Sequence, residues 1–241
     1  MQRQLRPIVL ALSLVSLAGA ARADGYEAPQ RAAAPVMLQV SNWTGFYANG
    51  GVGYGLWDAE TTSNTAAGVC VICSSIDHGG RGWLGEIGLG YDVQVSDKIV
   101  LGVLFNYDFS DMSGRINDGV AGRSGKTNND STWFVGARGG WLMTPEVLNY
   151  WSVGYTQTHF DSANLGGAGV LSSSDAGGWF IGGGLEVAMH GGWFWRSEVR
   201  YSDYSKDVRS ESGVAPALNV NFDPVVETAT SEIVYKFNWG H

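Results

Sequence analysis

Cys70-Val71-Ile72-Cys73 places two thiols at a spacing that serves a redox centre or half of a zinc site. No second CxxC completes four ligands, and no βαβ pattern surrounds the first, so neither chemistry follows. In an exported chain the pair is expected to close on itself as a local disulfide. The histidines, His78, His159, His190 and His241, are scattered. His159 with Asp161 has the makings of an Asp–His hydrolytic arrangement, but no serine motif accompanies it. The expectation is a protein that is not an enzyme and carries no metal or cofactor. Gly178, Gly182, Gly183 and Gly184, like Gly51, Gly53 and Gly55, are dense enough to suggest a phosphate-binding loop. They lie in strand-like stretches with no helix after them, which fits a crowded or bent sheet better.

A more informative set is Glu86, Asp92, Asp108, Arg138, Glu186, Arg196, Glu198, Arg200, Glu232 and Lys236. Each falls on the face opposite the aromatic and aliphatic residues of its own segment. The segments alternate with period two, the mark of a strand with two different faces. From Trp43 to Trp57, Phe46, Ala48, Val52, Tyr54 and Leu56 oppose a face rich in glycine. Trp83 to Val95, Ile99 to Phe109, Trp133 to Met143, Val147 to Phe160, Trp179 to Met189, Trp193 to Tyr201 and Ile233 to Trp239 repeat the pattern. The fifth is the least regular, because Asn149, Gln157 and His159 share a face with Trp151, Val153 and Tyr155.

Charge facing lipid near the bilayer midplane costs roughly 2–4 kcal/mol for Arg or Lys. Sorting every mid-strand charge to one face is what a membrane imposes. A soluble barrel would show the reverse, with a wet face rich in Lys and Glu. Only 16% of residues are charged, well below the roughly 25% of an ordinary soluble domain. The expected fold is therefore all-β, an eight-stranded antiparallel up-and-down transmembrane barrel.

Connection lengths agree. Ser96-Asp97-Lys98, Thr144-Pro145-Glu146 and His190-Gly191-Gly192 are tight, and they alternate with long polar stretches: Asp58 to Gly80, Asp111 to Asp130, Asp161 to Gly177 and Asp203 to Glu227. Short periplasmic turns and long external loops are the outer-membrane arrangement. Residues 1–23 read as a signal peptide: Arg3 and Arg6, an apolar run, then Ala21-Arg22-Ala23 before the cut. Residues 24–42 read as an extended periplasmic leader, and 43–241 as the barrel. Losing Arg3, Arg6 and Arg22 takes the net charge from −8 to about −11, a surface that repels nucleic acid.

A three-residue turn fixes which residues face each other. His190-Gly191-Gly192 sets Met189 opposite Trp193 and Glu186 opposite Arg196. Ser96-Asp97-Lys98 sets Glu86 opposite Asp108, two carboxylates that need a cation nearby or a shared proton. Arg138, inward on the next strand, is the expected counter-charge. The ten charges are thus expected to fill the lumen.

Trp43-Thr44-Gly45-Phe46-Tyr47, followed by Gly51, Gly53 and Tyr54, resembles the opening strand of the small outer-membrane immunogenic, porin-like proteins of alphaproteobacteria. Gly178-Trp179 through Gly184-Leu185-Glu186, and Glu198-Val199-Arg200-Tyr201-Ser202-Asp203-Tyr204, resemble their sixth and seventh strands. The resemblance covers essentially the whole mature chain and is specific to architecture more than to activity. It implies a surface-exposed barrel related in fold to the OmpA transmembrane domain. It also implies recognition by the barrel-assembly machinery through the terminal alternation Tyr235, Phe237 and Trp239, although Gly240 and His241 follow where an aromatic residue usually ends the chain. Three functions stay open: an envelope barrel whose loops contact lipid, lipopolysaccharide, host or other cells; a low-conductance channel; and a surface receptor or adhesin.

Overall fold

The computed structural model describes residues 43–237 except 121 and 168. The signal peptide, the leader and Trp239 lie outside the described residues. Among the described residues eleven strands are present: β1 (Gly45–Thr65), β2 (Cys70–Gln94), β3 (Ile99–Asn117), β4 (Ser124–Thr144), β5 (Val147–Phe160), β6 (Ala163–Gly166), β7 (Gly169–Leu171), β8 (Ser174–Ala188), β9 (Trp193–Tyr204), β10 (Asp207–Ser212) and β11 (Leu218–Phe237). Eight of them, β1-β2-β3-β4-β5-β8-β9-β11, form an antiparallel ring closed by β1 against β11. Closure leaves no edge in the bilayer, where an unpaired amide would find no water.

The strands run well past the segments that alternate with apolar residues outward. Two of the expected loops, Asp58 to Gly80 and Asp111 to Asp130, are largely strand. β10 pairs with β11, β7 with β10 and β6 with β7, adding a small sheet from the other two long connections.

The reason is an exchange of polarity between the two faces, with inward and outward positions unchanged along the strand. In the lower part of β1, Phe46, Val52, Tyr54 and Leu56 point out while Tyr47 and Asn49 point in; beyond Leu56, Trp57 and Ala59 point in while Asp58 and Glu60 point out. The same change occurs on β2 between Trp83 and Arg81, and on β3 between Phe109 and Asp111. Lipid outside rewards outward apolar groups, and water outside rewards inward ones. From Phe46 to Leu56 the strand climbs about 25 Å, taking about 3.3 Å per residue and a tilt near 40°, the height of an apolar band. Above it a water-exposed crown continues for about 20 Å or more by the same estimate.

Tight packing inside explains individual glycines. A Cβ at Gly51 would lie 2.7 Å from Cγ of Glu232 and 2.8 Å from its Cα, so β1 has room for nothing larger beside that carboxylate.

Candidate functional site

All ten sequence-predicted charges lie in the lumen, each at most 4% exposed. They stack in two tiers between apolar layers. The layer at the short-turn end is Trp43, Tyr47, Val100, Leu142, Leu148, Tyr150, Phe194 and Val234. Trp43 anchors it by donating its indole N–H to the carbonyl of Pro145 at 3.1 Å.

The lower tier carries two carboxylates and three cations. Arg138 donates to Asp92 through Nε at 2.8 Å and also through Nη2, and its Nη1 reaches Glu186 at 2.8 Å. Arg196 donates to the same Glu186 oxygen at 2.8 and 3.0 Å. Lys236 Nζ lies 2.6 Å from Asp92 and 3.1 Å from Glu186. The two guanidinium groups stack on Tyr47 at 4.8 and 4.9 Å, a contact that gains strength when desolvated.

The upper tier is acidic: Glu86, Asp108, Glu198 and Glu232 surround Arg200, which pairs directly with Glu86 and Glu198. Its Nη1 is 3.1 Å from Glu86 and its Nη2 3.0 Å from Glu198, and the plane rests 4.2 Å over Phe134. Neutral donors supply the rest. Asn49 donates to Glu232 at 2.8 Å and Glu86 at 3.2 Å, Asn106 to Glu86 at 2.6 Å, and Tyr150 to Glu198 at 2.6 Å. Arg196 joins the tiers through Glu232 at 3.3 Å.

Turn geometry sets Glu186 opposite Arg196 and Glu86 opposite Asp108. The counter-charge to that acidic pair differs from expectation. Arg138 stands opposite Gly102, which is opposite Asp92, so it belongs to the lower tier; Thr132 stands opposite Asp108. Arg200 of β9, reaching across the lumen, takes the place assigned to Arg138.

Beside the upper tier, Leu104, Phe134 and Phe180 form a small apolar cluster: Leu104 lies below Asp108 on β3, and Phe134 carries the Arg200 guanidinium. The crown is then filled by Trp57, Met112, Ile116, Phe160, Leu165, Leu171, Val220, Phe222 and neighbours. Arg209, fully buried there, donates to the carbonyls of Ser172, at 2.8 Å, and Asp161. These two carbonyls come from connections between strands, its third partner is Thr127 of β4, and no alternation in the sequence points to it. Cys70 and Cys73 are bonded to each other at the start of β2, near the hairpin tip.

His159 and Asp161 do meet carboxylates. Asp130, His159 and Asp161 each place a ligand atom within 4.8 Å of the others, and His159 Nδ1 lies 2.7 Å from Asp175. Asp130 reaches this group from a bulge in β4. The hydrogen bond to Asp175 raises the His159 pKa; burial opposes it, and Asp130, Asp175 and Asp161 reinforce it. The half-exposed cluster sits on the crown's outer face, away from the lumen.

Residues 8–223 match the family model for the outer membrane protein β-barrel domain. The 31 kDa outer-membrane immunogenic protein of Brucella melitensis is 32% identical over 183 residues, covering 72% of this chain and 75% of that protein. The protein of the same name from Brucella suis matches to the same extent. Among solved structures, the outer membrane protein OprG of Pseudomonas aeruginosa shares the fold, with a TM-score of 0.58 at 13% identity over 81% of this chain and 98% of that one.

Proposed function

The chain belongs to the outer membrane protein β-barrel family, and on that premise we propose that it is a sealed, non-catalytic barrel with a structural role in the envelope and a surface-contact role for its crown. The observation that carries this reading is the filled lumen: apolar side chains close both ends, and nine of the ten charges between them, all but Asp108, are held in direct ion pairs. An ion crossing such a path would have to break buried pairs that hold each other in place. The lipid-facing band supplies the partner surface for outer-membrane lipid, and the outward Tyr235 and Phe237 on β11 support reading by the assembly machinery. The expected result in planar bilayers is little steady conductance from the wild-type barrel. Large, continuous currents sink the sealed-lumen reading.

A low-conductance channel is the second reading, and one observation favours it. Asn49 Oδ1, Asn106 Oδ1 and Asp108 Oδ1 are buried without a hydrogen-bond partner in the upper tier. Such oxygens suit ordered water, and a hydrated midsection is where a conducting path would begin.

A further inference from the structure

The outward face of the crown carries a group of cations that neither the lumen nor the lipid band explains. Arg115 of β3 stands directly opposite Lys126 of β4, both exposed, and Arg81 of β2 stands opposite Ser113 on the same face. Like charges directly opposed across strands cost stability. Among the described residues none of the three has a carboxylate within ion-pair distance, and the outward Asp111 and Asp130 nearby form no ion pair with them. On a chain of net charge −8, two cations held together without a counter-charge mark a place for an anion from outside.

A cleft of about 530 Å³ accompanies them, lined by Ser113, Gly114, Arg115, Ser124, Gly125, Lys126 and Asn164. The lining offers two cations, two hydroxyls and an amide, with no carboxylate. Guanidinium, ammonium and hydroxyl donors converging on one space suit a phosphate group.

Height selects the source. Arg81 lies two residues above Trp83, Arg115 six above Phe109 and Lys126 seven above Trp133. That puts the group roughly 5–18 Å above the apolar band. In an outer membrane this layer beside the barrel wall is filled by the phosphorylated sugars of lipopolysaccharide. The group faces sideways, toward molecules standing in the membrane, and not toward the top of the crown.

We propose that Arg81, Arg115 and Lys126 and the cleft beside them bind the phosphorylated inner-core saccharide of neighbouring lipopolysaccharide. This deepens the surface-contact reading and is independent of whether the lumen is sealed, which conductance alone decides. The test uses the folded mature barrel in detergent, titrated calorimetrically with deacylated, phosphorylated inner-core oligosaccharide, the same oligosaccharide after chemical dephosphorylation, and a heparin fragment. The wild type is expected to bind the phosphorylated sugar. Dephosphorylation, or the exposed double substitution Arg115→Gln with Lys126→Gln, is expected to weaken binding about tenfold or more. Heat-modifiable gel mobility checks that the variant is folded. No binding by the wild type, equal binding of the dephosphorylated sugar, or an unaffected folded variant overturns the proposal. Binding of the heparin fragment without the core saccharide also overturns it, in favour of a host glycan.

Discussion

Replacing Arg200 with Met tests whether the lumen is held by charge or merely filled. The unbranched side chain keeps most of the volume over Phe134 and removes what is, among the described residues, the only cation with direct ion pairs to Glu86 and Glu198. Both carboxylates are buried, out of contact with bulk water that would otherwise replace the lost partner. Removing one member of a buried pair typically costs about 3–5 kcal/mol. With a urea slope of about 2 kcal/mol per molar, the unfolding midpoint should fall by about 2 M. The measurement is tryptophan fluorescence of the barrel unfolding reversibly from lipid vesicles. The same substitution made in a Glu86→Gln, Glu198→Gln background should cost much less, because the charges left behind are gone. A midpoint that does not move, or an equal loss in both backgrounds, refutes the electrostatic argument and leaves only packing.

Arg138→Ala should be milder, about 1–3 kcal/mol, since Arg196 and Lys236 still face Glu186 and Lys236 still faces Asp92; a greater loss than for Arg200→Met would reverse the assigned tiers. Cys70→Ser with Cys73→Ser should leave assembly and heat-modifiable mobility intact, because so short a closed loop contributes about 2 kcal/mol or less and sits at a hairpin tip; failure to reach the outer membrane would contradict this. His159, whose ordinary pKa is 6.5, is raised chiefly by its hydrogen bond to Asp175. Its stabilising contribution is therefore present in full below about pH 6.5 and fades as pH rises through the higher folded-state value. Asp175→Asn should lower the His159 titration midpoint in ring-proton NMR; an unchanged midpoint would show that the bond does not govern it.

The faces of the eight wall strands were legible because a bilayer punishes a single misplaced charge, and period two leaves no third option for Glu86, Arg138 or Lys236. Neighbours across tight turns were legible too: a three-residue turn sets Glu186 opposite Arg196. The partner of Glu86 was not. Arg200 reaches it from β9, three strands round the ring from β2, which carries Glu86, and such a contact depends on how the closed ring is staggered, which no single turn determines. The strand ends were misread for a different reason. Past Leu56 the alternation continues with its polarity exchanged, so that Asp58 and Glu60 look like loop while Trp57 and Ala59 are core. β6, β7 and β10 span only four, three and six residues, too few for any period to emerge.

That exchange of polarity ties the two parts of the proposed function together. Within the membrane the lipid solvates the outward apolar side chains, so the interior need not be wholly apolar and holds glycine, amides and ion pairs beside its apolar layers. The crown has no lipid to lean on. It can persist only by burying its own apolar groups inward, and Trp57, Phe160 and Phe222 do so edge to face, with ring centroids 4.9–6.2 Å apart. An apolar core on the barrel axis is also a lid on the lumen below it. On the proposed reading, raising the strands above the membrane as folded structure also sets this core over the lumen, whatever the ion pairs do beneath. Surface presentation and sealing are then one requirement met by the same side chains. A route for solute through this barrel would have to dismantle the core that holds up the outward face on which Arg115 and Lys126 stand.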